Sequence, residues 1–213
     1  SHMAQTMYPE STLDFFDVDT QLDPCHNILD DEFFWQLLEW AHRGQLHAIV
    51  GGPNCRTWSI LLFQTKRGAP QPLRHRTKAP WGLPNLDPEN RQRADDDSLL
   101  LLRMMALFWV AKLAGHAPHF FLEHPGDPVR GSPMPHSDVC ASFWCTTQCR
   151  EWIAWTAMKL ISFHQCMLGH EVEKYTSALT TLDLQGIDKL WCNHPHRHVN
   201  TKGGSSSLAR WAP

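Results

Sequence analysis

His47-Ala48-Ile49-Val50-Gly51-Gly52-Pro53-Asn54-Cys55-Arg56-Thr57-Trp58-Ser59 is the stretch whose reading decides the fold. Ala48 to Val50 is a short apolar run that predicts a buried strand, and Gly51-Gly52-Pro53 must leave it in a tight turn. Cys55 then lies on a loop at the carboxyl end of a strand. In open α/β sheets ligands bind there, and a thiol at such a place becomes a nucleophile when a nearby cation lowers its pKa. The competing account is a packed, unreactive cysteine beside a structural turn, because free cysteine is among the most buried residue types.

Upstream, Leu13-Asp14-Phe15-Phe16-Asp17-Val18-Asp19 mixes β-formers with a terminal acid and predicts a strand that ends on a carboxylate. Asp30 or Asp31 caps a helix in which Phe33, Phe34, Leu37, Leu38 and Ala41 recur at helical spacing until Gly44 stops it. Strand, helix and parallel strand make a βαβ unit with a right-handed crossover.

Downstream, residues 56–94 lack periodicity and contain Pro70, Pro72, Pro80, Pro84 and Pro88. A long irregular segment in a compact domain is functional or disordered. Starting one residue after Cys55, it reads as an active-site or nucleic-acid-facing loop, with a solvated flexible loop as the alternative. Lys66, Arg67, Arg74, Arg76 and Lys78 make it locally basic. Asp95-Asp96-Asp97 places negative charge at the amino end of a buried helix over residues 98–115. His119-Phe120-Phe121-Leu122 predicts a second buried strand that delivers Glu123-His124-Pro125 to the same rim of a parallel sheet as Cys55. Residues 139–158 read as a helix with Cys145 and Cys149 one turn apart, residues 161–168 as a strand broken by Gly169, and residues 177–182 as another strand.

With 213 residues, 42% of them apolar, the chain suffices for one substantial core and one domain over residues 13–213, after a cloning remnant and tail at 1–12. The longest apolar run, residues 99–114, is interrupted by Arg103 and Lys112 and reads as a buried helix rather than a membrane span. No signal peptide is evident, so an intracellular protein without membrane contact is expected. Seven irregularly spaced cysteines favour reduced thiols. The formal charge of −3 argues for no global attraction to nucleic acid, which leaves only a local basic surface. Cys192-Asn193-His194-Pro195-His196-Arg197-His198 lacks the usual spacing of paired zinc ligands, so a polar loop is preferred to a metal site.

Gly51 to Ser59, followed about 70 residues later by Leu122-Glu123-His124-Pro125, resembles the cytosine-5 DNA methyltransferase family, in the shortened kind found in protist genomes and often within retroelements. The family's nucleophile motif, Gly-Pro-Pro-Cys with a nearby Ser, stands here as Gly52-Pro53-Asn54-Cys55, and its Glu-Asn-Val as Glu123-His124-Pro125. The resemblance implies a Rossmann-like α/β methyltransferase fold, a mostly parallel sheet with helices on both faces. It implies S-adenosylmethionine as cofactor, with Asp19 on its ribose hydroxyls, Asn27 near its adenine, and Gly52 and Pro53 beside it. Residues 169–176 resemble the family's glycine-led strand motif with two arginines, here Lys174 and Thr176, which implies Lys174 as a catalytic residue with Cys55 and Glu123, and residues 203–213 resemble its closing segment. Two departures bear on function. No strand with a Phe-x-Gly-x-Gly turn precedes Asp19, so the first strand is expected to be missing, cofactor binding weak or lost, and the edge from Leu13 to Val18 left to self-associate. Residues 177–191 leave little room for a target-recognition domain.

The family's chemistry suits these residue types. A thiolate from Cys55 attacks C6 of cytosine while the Glu123 carboxyl protonates N3 or hydrogen-bonds the exocyclic amine, and C5 then takes the methyl group. Reaching that base in a duplex requires flipping it out of the stack. DNA, or RNA, is the implied partner, contacted by Arg56, Lys66, Arg67, Arg74, Arg76 and Lys78, and the implied location is nuclear. A catalytically inactive relic that binds nucleic acid or acts as a scaffold is the second class of function, and a zinc-stabilised interaction module the third.

Overall fold

The computed structural model describes residues 14–63, 71–131, 136–171 and 174–192. The described chain is a mixed α/β domain of three helices and one four-stranded sheet. Helix α1 (Asp31–His42) begins where the Asp30 carboxylate accepts from the Phe33 amide at 2.9 Å, and Asp31 and Glu32 suit its positive end. Strand β1 (Ala48–Gly51) follows at the edge of the sheet with Ile49 buried and Val50 70% exposed, so it is not the buried strand expected: an edge strand is covered on one face only. Helix α2 (Pro88–Leu113) starts on an Asp87 cap with proline in its first turn. Strand β2 (His119–Pro125) alternates buried Phe120, Leu122 and His124 with half-buried neighbours. Helix α3 (Thr147–Thr156) is capped by Thr146 and stopped by Ala157 at φ 54°. Strands β3 (Lys159–His164) and β4 (Tyr175–Thr180) complete the sheet.

Strand order is β1-β2-β4-β3. Only β1 and β2 are parallel; β4 runs antiparallel to both β2 and β3. Leu122 lies opposite Leu179 and Leu179 opposite Leu160, so one face of the sheet is apolar at its middle and turns polar at His124, Ser177 and Ser162, while Glu123, Ala178 and Ile161 share the other. Phe108 of α2, Phe120 of β2 and Trp152 of α3 meet with ring centroids 5.1–5.7 Å apart and join the helices to the apolar face. Truncating any of the three costs about 3–5 kcal/mol. No helix among the described residues is long and apolar enough to cross a membrane.

Several expectations need correction. Residues 14–18 form no strand; they are exposed, and Phe16 packs against Trp40 of α1 at 5.1 Å and His26 at 4.7 Å instead of pairing with a sheet. The βαβ unit ending at β1 and the self-associating edge at 14–18 are therefore not formed, and Leu13 lies outside the described residues. The sheet is mixed, not mostly parallel. Helix α2 starts ten residues before Ser98, so Asp95-Asp96-Asp97 lies within it. Cys145 ends a short 3-10 turn (Phe143–Cys145) ahead of α3, which contains Cys149. Strands β3 and β4 each begin two residues earlier than expected, and Gln165–Leu168 is a 3-10 turn closed by Gly169 at φ 94°.

Candidate functional site

The topology brings four polar side chains to one end of the sheet. Cys55 follows the carboxyl end of β1, Glu123 lies near that of β2, Gln165 directly follows β3, and Lys174 directly precedes the antiparallel β4. Lys174 Nζ donates to Glu123 Oε1 at 3.0 Å, and Gln165 Nε2 donates to the same oxygen at 3.2 Å. Glu123 Oε2 has no partner among the described residues. It faces Gly52, where an added Cβ would stand 2.8 Å from it. A methyl group there would push the Glu123 carboxylate aside, so glycine leaves the carboxylate where it stands.

Cys55 sits at φ −110°, ψ 11°, in the sparsely populated bridge between helical and extended conformations, and its carbonyl accepts from the Trp58 amide at 3.0 Å. The turn after it is nailed to α2. The Thr57 amide and hydroxyl both donate to Asp97 Oδ2, at 2.9 and 2.8 Å, and Arg56 reaches Asp97 Oδ1 at 3.4 Å. Beneath them Arg74 donates to Thr57 Oγ1, Ser98 Oγ and the carbonyls of Pro80 and Ala94, with its guanidinium 3.8 Å from the Trp58 ring centroid. Burial pulls the Arg74 pKa down to about 10, against the pull of Asp97 and Asp95, so it stays charged at neutral pH.

Burial is also the main influence on Cys55 and pushes its thiol up. Lys174 opposes this, while Glu123 and Asp97 add to it. At neutral pH Cys55 is a protonated thiol beside a cation and a carboxylate. A general base that takes the proton as the sulfur attacks is needed to make it a nucleophile.

The other expected site residues are dispersed. Asp19 is exposed and accepts from the Gln21 amide at 2.8 Å; Asn27 accepts from the Leu29 amide at 3.0 Å. Each side-chain oxygen is taken up by its own turn and neither residue stands at a strand end, so they do not offer the strand-end contacts that the resemblance implies for S-adenosylmethionine. Arg74 is 2% exposed and offers no cation to an external phosphate. Arg76 is clamped on Asp127 by two bonds of 2.6 and 2.7 Å. The idea of an open basic loop thus fails for these two, whose charges are matched inside the fold. Arg56 and Lys78 are exposed, whereas Lys66 and Arg67 lie outside the described residues, as do His194 to His198 and residues 203–213. Among the described residues no group of three or more His, Cys, Asp or Glu side chains is placed to hold a metal ion.

Sequence reasoning missed Asp97, Thr57 and Gln165. Asp97 was legible only as helix-capping charge, and nothing in the sequence links Gln165 to a carboxylate 42 residues away. No family model, curated protein or solved structure matches the chain.

Proposed function

We propose that this chain is a cytosine-5 methyltransferase-like domain of Rossmann-like descent that engages a cytosine in nucleic acid through Cys55, Glu123 and Lys174. The observation that carries this reading is the meeting of Glu123 and Lys174 at 3.0 Å beside the Cys55 turn, at the sheet end where α/β folds bind ligands. Glu123 Oε2, which has no partner among the described residues, accepts from the exocyclic amine of the base, and Lys174 holds the carboxylate in place. Cys55 Sγ adds to C6 while the Glu123 carboxylate takes the thiol proton and passes it to N3 of the ring, which turns C5 into a nucleophilic enamine carbon. S-adenosylmethionine supplies the methyl group in the reaction of the family. Asp19 and Asn27 serve their own turns, so this reading rests on the base-handling part of the chemistry rather than the donor-handling part.

This division suggests an assay that needs no methyl donor. Reversible addition at C6 exchanges the C5 hydrogen with solvent. A DNA oligonucleotide tritiated at cytosine C5 is therefore expected to release tritium with the unmutated protein and not with Cys55→Ser; no release above a protein-free control refutes the proposal. The raised Cys55 thiol and the self-satisfied Asp19 and Asn27 favour a second reading, a catalytically inactive relic that binds nucleic acid. Binding without exchange is its signature.

A further inference from the structure

On the sheet face opposite Glu123 lies a cleft of about 710 Å³. Its floor is Leu160, Ser162 and Ser177, whose register places them with Leu122 and His124, and the two serine hydroxyls bond each other at 2.7 Å. Val129 and Ile153 add apolar wall. Arg76, Arg130 and Arg150 stand around it. Their charges are not equally compensated. Arg76 is neutralised by Asp127. Among the described residues the Arg150 side chain donates only to the Cys145 carbonyl, at 2.8 Å, and no side-chain bond holds Arg130. Two guanidinium charges therefore face a concave, half-apolar space, and the first turn of α3 at Thr146 and Thr147 opens into the same space with its positive end.

Uncompensated arginines in a recess call for an anion that they can grip through paired N–H groups. A charge of two matches a terminal phosphate monoester better than an internal phosphodiester, which carries one. The volume falls within the range of about 300–1,000 Å³ for small-molecule sites, and the apolar wall calls for a ligand with an apolar or aromatic body. We propose that this cleft binds a nucleotide-sized phosphate monoester, its phosphate between Arg130 and Arg150 and its body against Val129, Ile153 and Leu160. The site shares no residue with the Cys55 cluster and does not rest on the reading given to that cluster.

Isothermal titration calorimetry of the full chain with adenosine monophosphate, and separately with inorganic phosphate, tests this. The nucleotide is expected to bind at least tenfold more tightly than phosphate. Arg130→Gln and Arg150→Gln are each expected to weaken it at least tenfold while leaving the thermal melt in place, since both side chains are exposed. Cys55→Ser is expected to bind like the unmutated protein. The proposal is overturned if the nucleotide does not bind, if it binds no better than phosphate, if neither arginine variant weakens it, or if only an oligonucleotide of internal phosphodiesters binds.

Discussion

His124 makes the stability of this fold depend on pH. It is 1% exposed, neither ring nitrogen has a hydrogen-bond partner among the described residues, and Trp58, Phe143 and Trp144 surround it at 5.8, 5.8 and 6.1 Å. Burial, with smaller contributions from the Lys174 and Arg74 charges, pulls its pKa from 6.5 to about 3. In the unfolded chain the imidazole returns to about 6.5. Between those values the unfolded state binds more protons than the folded one, so this contribution is complete above about pH 6.5 and is lost as the pH falls toward 3. At about pH 5 an unfolded His124 is almost fully protonated and a folded one almost fully neutral, a loss of about 2 kcal/mol relative to pH 7.5. For a chain of this size that corresponds to about 4–8 °C in Tm. Urea unfolding followed by tryptophan fluorescence at the two pH values, on the unmutated protein and His124→Phe, isolates the effect. The unmutated protein is expected to lose about 2 kcal/mol more than the variant on acidification. Equal losses in both refute a buried neutral imidazole.

Gly52→Ala places a methyl group against the mobile end of Glu123, so C5 exchange is expected to fall more than tenfold while urea stability changes by less than about 1 kcal/mol; retained exchange shows that the carboxylate position does not matter. Lys174→Met removes the charge that opposes the rise of the Cys55 pKa, and iodoacetamide is expected to alkylate Cys55 more slowly at a fixed mildly alkaline pH. An unchanged rate contradicts that coupling. Asp97→Ala strips the partner of Thr57 and removes the stronger of the two carboxylates that favour the buried Arg74 charge, with an expected cost of about 3 kcal/mol in denaturant unfolding.

The parts of the site that were legible in the sequence are those set by short apolar runs ending in unusual residues. Ala48 to Val50 before Gly51-Gly52-Pro53, and Phe120 to Leu122 before Glu123, mark both parallel strands and their carboxyl ends. Illegible parts depend on partners distant in the chain. Arg74 reads as a surface cation until Thr57, Ala94 and Ser98 enclose it. The first ten residues of α2 carry too many charges for an apolar stripe, although Asp87-Pro88 is a recognisable cap and start. The strand expected at 13–19 rested on β-propensity, which Phe16 satisfies by packing on α1.

The most direct test of the central claim is covalent trapping on an oligonucleotide containing 5-azacytosine. Its ring nitrogen at position 5 makes C6 more electrophilic and accepts the proton once the thiol adds. Intact-mass and peptide-mapping spectrometry without any methyl donor is expected to find one adduct, on the peptide carrying Cys55, absent in Cys55→Ser and at least tenfold slower in Glu123→Gln. An adduct on another cysteine, such as the exposed Cys25, or no adduct at all, contradicts the assignment of Cys55 and Glu123 as a base-handling pair.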